Sequence, residues 1–335
     1  GGQVTIESST FTNNSAANGG AIFSINDFNA ELHISGSVFE ENSASNLGGA
    51  LHLNGYNHQG SDGTSSMFIE TSRIRDNEAA NGGGIYVGTK YVEFGSLFSH
   101  GGMNLLQSEV SANIATSGNG GGIYVNGNTN TSGTDYIYIE NSTITGNEAF
   151  LSGGGLYVLA DPTSATYLFN TTVTDNAADR AGTQGKNGGG YANASDSSLH
   201  LVNSILAGNR DLTGGTFPIW IPDCVGTLNL HHSLLGYKQS PCTVEDGWSG
   251  LIGTASPLDA GLGPRHEGGA TVAWYHALLS GSPAINSGDP SGCKGIGERL
   301  LSEDQNFNDR PRGIACDMGA IEAASYAVFL PTILR

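Results

Sequence analysis

One asparagine recurs along this chain in a fixed local setting, at Asn14, Asn42, Asn77, Asn113, Asn147, Asn176 and Asn209, at intervals of 28 to 36 residues. Five residues ahead of each stands a small hydroxyl residue: Ser9, Ser37, Ser72, Ser108, Ser142, Thr171 and Ser204. Three ahead the residue is always apolar, from Phe11 to Leu206, and eight ahead it is isoleucine or leucine, from Ile6 to Leu201. Alanine follows two residues later in six copies, Ala16 to Ala178. Constant local offsets with unequal overall spacing describe one structural unit joined by loops of changing length. An eighth, degraded copy keeps Leu230, Ser233 and Leu235 and has Lys238 where asparagine is expected.

Offsets of two and three residues among β-branched and glycine-rich segments fit short strands and tight turns and exclude a helical solenoid. Ahead of the hydroxyl residue the sequence alternates, as in Leu32-His33-Ile34, Ile137-Tyr138-Ile139 and Leu199-His200-Leu201, which places histidine and tyrosine on an outer face. A glycine cluster and a second apolar segment follow, as in Gly83-Gly84-Ile85 and Gly121-Gly122-Ile123. Each copy therefore holds at least two strands and two corners. Stacked units of this size and composition form a parallel β-helix, in which every column becomes a ladder of like side chains about 4.8 Å apart. Asparagine suits such a ladder at a corner, taking left-handed backbone angles and bonding the copies above and below. The inward hydroxyls are expected to partner one another. Both ladders read as structural, and the glycines as corner residues rather than a phosphate loop.

A solenoid extends by adding coils, so 335 residues are ordinary for this architecture. The division expected is a β-helix over residues 1–250 and a loop-rich cap and tail over 251–335. A net charge of −18, with only Arg73, Arg75, Lys90, Arg180 and Lys186 as bases in the repeats, disfavours nucleic acid or an anionic membrane as partner. There is no apolar run long enough for a transmembrane helix. The start at Gly1-Gly2, without a signal peptide, is expected to be a processed or truncated end. Cys224, Cys242, Cys293 and Cys316 all follow the repeats and lack CxxC spacing, which disfavours zinc. Local pairs 224–242 and 293–316 would each close a loop of about 20 residues, worth about 3 kcal/mol, in an oxidising compartment. The other two pairings stay open on sequence alone.

Many β-helices cleave acidic polysaccharides, but that chemistry needs a placed base with clustered carboxylates, or two carboxylates roughly 5 to 9.5 Å apart. Asp76 and Asp175 share an offset yet lie three coils apart, and read as corner residues. No catalytic residue is assigned. His231-His232 are strand neighbours that point to opposite faces and cannot chelate one ion together. In the cap, Asp289, Asp304, Asp317 and Glu322 offer two alternatives: a calcium site, or ion pairs with Arg310 and Arg312, the latter favoured. Polar excursions at 54–66, 88–102 and 126–134 follow the second strand of successive copies and should crowd one flank, where a solenoid would bind a ligand. The segment FPIWIP at 217–222 marks a change of organisation, since its prolines cannot sit in a central ladder. Acceptor triplets at Asn13, Asn130, Asn141, Asn170 and Asn193 permit N-glycans.

The stretches DCVGTLNLHHSLLGY, CTVEDGWSGLIGTASPLDAGLGP, HALLSGSPAINSGDPSGC and DRPRGIACDMGAIE together resemble the choice-of-anchor Q domain of bacterial secreted and surface proteins. The upstream pattern, GG[AGI][IL] followed later by FxxNxA, is similar to the repeats of chlamydial polymorphic outer-membrane proteins. These resemblances imply an exported right-handed parallel β-helix with a C-terminal cap and an anchoring device beyond it. Where the anchor family has DQRG, this chain has Asp304-Gln305-Asn306-Phe307, so one arginine of a charge network is missing.

The apolar tail YAVFLPTILR at 326–335 resembles endings of exported proteins of Chloroflexota-like bacteria. Through Tyr326, Val328, Phe329, Leu330, Ile333 and Leu334 it would pack on its own cap or pair with the first coil of another copy, giving a head-to-tail filament. The function expected is a non-catalytic extracellular or cell-surface scaffold, adhesin or filament subunit. Its partners would be itself, a surface polysaccharide or a host or cell surface. The alternative is a polysaccharide-active enzyme or carbohydrate-binding protein using the long-loop flank.

Overall fold

The computed structural model describes residues 2–26, 31–55, 65–89, 101–127, 136–159, 165–180, 182, 187–194, 197–212, 223–267 and 271–324. The tail at 326–335, the segment at 217–222 and most of the three long excursions fall outside these residues. What is described is a parallel β-helix whose coils occupy 3–26, 31–55, 65–89, 101–126, 136–159, 165–193 and 198–211, followed by further strands up to Ile252.

Each coil has up to four short strands. In the second coil these are Glu31–Ser35, Val38–Glu40, Ser43–Leu47 and Leu51–Gly55. Corresponding strands pair in parallel from coil to coil and build four ladders. The register keeps every expected column: Ile6 faces Ile34, Ile34 faces Ile69, Phe11 faces Phe39, and Ala79 faces Ala115. The inward side chains make one continuous core, with Ile34, Phe39, Ile69, Ile74, Leu105, Val110, Ile139 and Leu201 each fully buried.

Three corners recur, and each is made by one residue in the left-handed region. The first is the residue before the hydroxyl column (Thr71, Gln107, Asn141, Asn170, Asn203), and the third is the first glycine of the cluster (Gly48, Gly82, Gly120, Gly153). At the second corner the left-handed residue is the one before the conserved column: Glu41, Asp76, Ala112, Gly146 and Asp175. This corrects the expectation that the recurring asparagines themselves turn the chain. They are needed for their amides, and the turn is made by their neighbours. Gly49, Gly83 and Gly121 are required for a different reason: a Cβ there would lie 2.0 to 2.4 Å from a carbonyl or backbone atom of the next coil.

The ladders end unevenly. The strand Cys224–His231 first pairs with Tyr191 and Ala192 of the fourth ladder, then with Ser198–Val202 of the first, so two ladders fuse into one 15-stranded sheet. Cys242–Trp248 adds a last strand to the first ladder, and Leu251–Ile252 a last strand to the second. The third stops at Arg210–Asp211. The solenoid thus runs just past the expected limit at residue 250. Disulfides join Cys224 to Cys242 and Cys293 to Cys316, each with Cα atoms 5.3 Å apart. The first ties the end of the fourth ladder to the last strand of the first.

The segment after Ile252 is the expected loop-rich C-terminal segment with its disulfide between Cys293 and Cys316. It folds back beside the second ladder, and its hydrogen bonds run from Asn203 in the seventh coil down to Arg73 in the third. A hairpin of Leu262–His266 and Tyr275–Leu278 and a 3-10 turn at Ile296–Glu298 are its only regular elements among the described residues. Ala260, Ala284 and Met318 share a small core with Ile205, Ala207 and Leu234 of the solenoid. We call this segment the brace.

Candidate functional site

The asparagine column is a continuous hydrogen-bonded ladder. The Oδ1 of each asparagine accepts both the backbone N–H and the Nδ2 of the asparagine one coil earlier: from Asn42 to Asn77 at 2.9 and 3.0 Å, from Asn77 to Asn113 at 3.0 and 2.9 Å, and from Asn113 to Asn147 at 3.0 and 2.9 Å. The second Nδ2 hydrogen goes to a backbone carbonyl of the earlier coil, Phe39 O for Asn77 and Ile74 O for Asn113. The hydroxyl column works differently from what was expected. Each Oγ donates to the carbonyl two residues back and accepts the N–H of the previous coil's hydroxyl residue, as in Ser72 N–H to Ser108 Oγ at 3.0 Å. The hydroxyls of this column bond to backbone and not to one another, each proton being committed to the carbonyl two residues back.

The asparagine ladder does not fade at Lys238. Asn209 donates its backbone N–H and Nδ2 to Asp223 Oδ1 at 2.8 and 2.9 Å, and Asp223 Oδ2 accepts Tyr237 N–H at 2.7 Å. A carboxylate is the apt last rung, since it accepts from the coil below without carrying a donor that would need a rung above. Burial pushes Asp223 up to about 7. A second column also escaped the sequence analysis: Asn119 bonds Asn81, Ser152 bonds Asn119, and Asn187 N–H bonds Asp211 Oδ2 at 2.8 Å. Its signal was present as asparagine directly before glycine at Asn81-Gly82, Asn119-Gly120 and Asn187-Gly188.

Most of the chain's buried charge lies where the brace meets the solenoid. Glu109, fully buried on the second ladder, accepts Trp274 N–H at 2.8 Å and Arg265 Nη1 at 3.3 Å. The guanidinium groups of Arg73, Arg75 and Arg265 lie 5.7, 5.2 and 4.8 Å from the Trp274 ring centroid, and Arg75 also pairs with Glu40. Glu140 accepts Ile296 N–H at 2.8 Å and pairs with Arg299. Gln305 sits between them. It accepts from Thr143 Oγ1 at 2.5 Å and donates to Ser108 O and Trp274 O. At the far end, Arg310 is buried and donates to Glu322 at 2.9 Å, to Asn141 Oδ1 at 2.7 Å and to Gly319 O at 2.6 Å. Burial raises the pKa of Glu109, Glu140, Asp317 and Glu322 and lowers that of Arg310, with the neighbouring opposite charges acting against it.

The four acids offered as a calcium site separate into two settings. Asp304, Asp317 and Glu322 surround Arg310, and their oxygens accept backbone N–H groups: Asn306, Asn308 and Glu322 for Asp304, and Asn286 and Ala323 for Asp317. Asp289 stands apart, facing Lys294 at 3.5 Å and His232 at 4.0 Å. Arg310 supplies the positive centre of this group, and backbone amides satisfy the remaining carboxylate oxygens. Arg312 meets Glu322 through its backbone N–H. Cys293, Cys316 and Glu322 bring ligand-type atoms within 4.8 Å of one another, but the two sulfurs are joined as a disulfide.

A cleft of about 450 Å³ opens where the third ladder stops, between the second corner and the brace, lined by Asp175, Arg210, Tyr237, Leu258, Asp259 and His276 among others. His276 is committed: Nδ1 donates to Gly263 O at 2.8 Å, which leaves Nε2 to accept from Thr145 Oγ1 at 3.0 Å. Burial lowers its pKa, so the ring is neutral and already holds two partners. On the fourth ladder Phe23, His52, Tyr86, Tyr124 and Tyr157 form a column of ring contacts with centroids 4.8 to 5.1 Å apart, edge-to-face on both sides of His52, stacked from Tyr86 to Tyr124 and tilted from Tyr124 to Tyr157. Tyr138, Tyr167 and His200 stack on the first ladder with centroids 5.6 and 4.5 Å apart.

A model of the Chlamydia polymorphic membrane protein repeat matches residues 8–25. This stretch runs from the first corner to the fourth strand of the first coil and carries Phe11, Asn14, Ala16 and the Gly19-Gly20 pair, the same elements that recur in the coils above. No curated protein and no solved structure matches the chain.

Proposed function

We propose that this chain is a non-catalytic scaffold displayed outside the cell, of the adhesin or filament-subunit kind. The observation that carries the proposal is the use made of the buried charged groups. Glu109, Glu140 and Arg310, buried groups that in an enzyme would face a substrate, hold the brace on the solenoid instead, and Asp304, Asp317 and Glu322 accept amide hydrogens within the brace. Two disulfides fit an oxidising compartment, and the polymorphic membrane protein repeat match fits a cell-surface or outer-membrane setting. No helix among the described residues is long and apolar enough to cross a membrane, a fact that leaves β-barrel membrane proteins untouched.

Head-to-tail assembly through Tyr326, Val328, Phe329, Leu330, Ile333 and Leu334 is the sharper form of the proposal. The first coil presents four strands, whereas the two last strands, Cys242–Trp248 and Leu251–Ile252, extend only the first and second ladders, so a joint needs an added strand to be complete. Electron microscopy of native material tests polymer formation, and deletion of residues 326–335 is expected to abolish any filament. Incubation with a panel of neutral and acidic polysaccharides is expected to release no new reducing ends or unsaturated products. Turnover of any member would overturn the scaffold proposal in favour of the enzyme.

A further inference from the structure

Two of the five N-glycan acceptor triplets, Asn141-Ser142-Thr143 and Asn170-Thr171-Thr172, lie in the seam under the brace. Asn141 is 3% exposed and Asn170 is fully buried. The atom a glycan would occupy is already a hydrogen-bond donor to the brace: Asn141 Nδ2 gives to Glu303 O at 2.9 Å, and Asn170 Nδ2 gives to Lys294 O at 2.8 Å. Asn141 Oδ1 in turn accepts Arg310 Nη1 at 2.7 Å. Both residues sit at the first corner with left-handed backbone, φ 47°, which aims the amide outward into the brace. Asn13, by contrast, is exposed at the second corner of the first coil.

We infer that N-glycosylation of Asn141 or Asn170 and docking of the brace are mutually exclusive, so that these two asparagines are modification sites of the undocked chain alone. The chemistry requires a lipid-pyrophosphate-linked oligosaccharide as donor. A bond forms between Nδ2 and the anomeric carbon of the sugar, the bond from that carbon to pyrophosphate breaks, and one amide proton leaves. The product has a bulky polar group where Glu303 O or Lys294 O now stands. Order of synthesis makes the competition real. The partners lie 162 and 124 residues downstream, and Arg310 lies 169 downstream of Asn141, so a chain emerging from its N-terminus shows both acceptors before the brace exists.

The test uses the full chain. Folded protein is incubated with an oligosaccharyltransferase and its lipid-linked donor, and site occupancy is read by glycopeptide mass spectrometry at Asn13, Asn141 and Asn170. In the folded chain, Asn141 and Asn170 are expected to show less than a tenth of their occupancy in reduced, unfolded chain, while Asn13 changes little. In a second arm the chain is secreted from glycosylating cells. Molecules bearing a glycan at Asn141 or Asn170 are expected to be cleaved by protease within 254–324 at least tenfold faster than chain made in the same cells with donor synthesis blocked. Equal occupancy in folded and unfolded chain, no occupancy in unfolded chain, or full protection of the glycan-bearing molecules would each overturn the inference.

Discussion

Coils one and two and coils three to seven share a sequence pattern but not a structural situation. In the upper coils, residues of the first corner and second ladder are covered by the brace, and their polar groups are buried: Glu109, Thr143, Asn170 and Thr172 are each at most 2% exposed. In the lower coils the equivalent faces meet water, and among the described residues the hydrogen bonds of the brace reach no lower than Arg73. Val4, Phe23 and Ile25 of the first coil are about half exposed. A solenoid whose repeats touch only their neighbours unfolds in pieces. A segment that bonds to coils three, four, five, six and seven at once converts that stretch into one cooperative unit and leaves the first two coils outside it. The difference teaches that in this chain cooperativity is added laterally, by residues far along the sequence, rather than by strengthening each repeat.

The comparison is broken most severely by removing the buried charge that meets the fifth coil. Arg310→Ala leaves Glu322 unpaired in the interior and is expected to cost about 3–5 kcal/mol. In hydrogen exchange, the amides of coils three to seven should then lose protection toward that of coils one and two. Unchanged protection there would mean that the brace does not couple the coils. Replacing Cys293 and Cys316 together by serine should cost about 3 kcal/mol, seen in denaturant melts as destabilisation of the brace with the first two coils unaffected.

A matched pair of ladder mutants sharpens the contrast. Asn113→Ala strands the buried N–H and Nδ2 of Asn77 and should cost about 2–3 kcal/mol, whereas Asn14→Ala at the open edge should cost less than about 1 kcal/mol. Similar losses at the two positions would show that the edge is as rigid as the middle. A separate effect is expected of pH. Burial holds Asp223 at about 7, above its ordinary range, so the folded chain binds this proton more tightly than the unfolded chain does. The stabilisation is therefore complete below the ordinary aspartate range and is lost as pH rises to about 7. Melting temperatures should decline between pH 5 and 7.5 at the C-terminal end of the stack, and Asp223→Asn should flatten that slope.

Much of the fold was legible in residue spacing, because a stacked coil forces identical offsets onto every copy. Ile34 over Ile69 and Asn77 over Asn113 could be placed without coordinates. The second corner was legible only in part: Asp76 and Asp175 read as corner residues and do take the left-handed conformation, whereas the asparagine beside them, which tolerates it, uses its amide for another task. Asp223 was missed because the last rung comes only 14 residues after Asn209, out of step with the spacing that revealed the others. The charged residues of the C-terminal segment were recognised as a group, and ion pairs of its four acids with Arg310 and Arg312 were favoured over calcium. The contacts of Arg310 with Asn141, of Gln305 with Ser108 and of the Ala320 amide with Thr172 were not legible, since nothing in a repeat pattern says which face a later segment will cover.

The sequence by itself determined the coil: which residues face inward, where the chain turns, and which amides bond from level to level. These are properties of periodicity, and periodicity is written locally. Only the tertiary structure decided that the C-terminal segment lies beside the stack, that Asn141 and Asn170 are docking residues, and that two aspartates close the amide ladders. Those outcomes depend on contacts between residues more than a hundred positions apart or out of register with the repeat, where no local spacing constrains the partner.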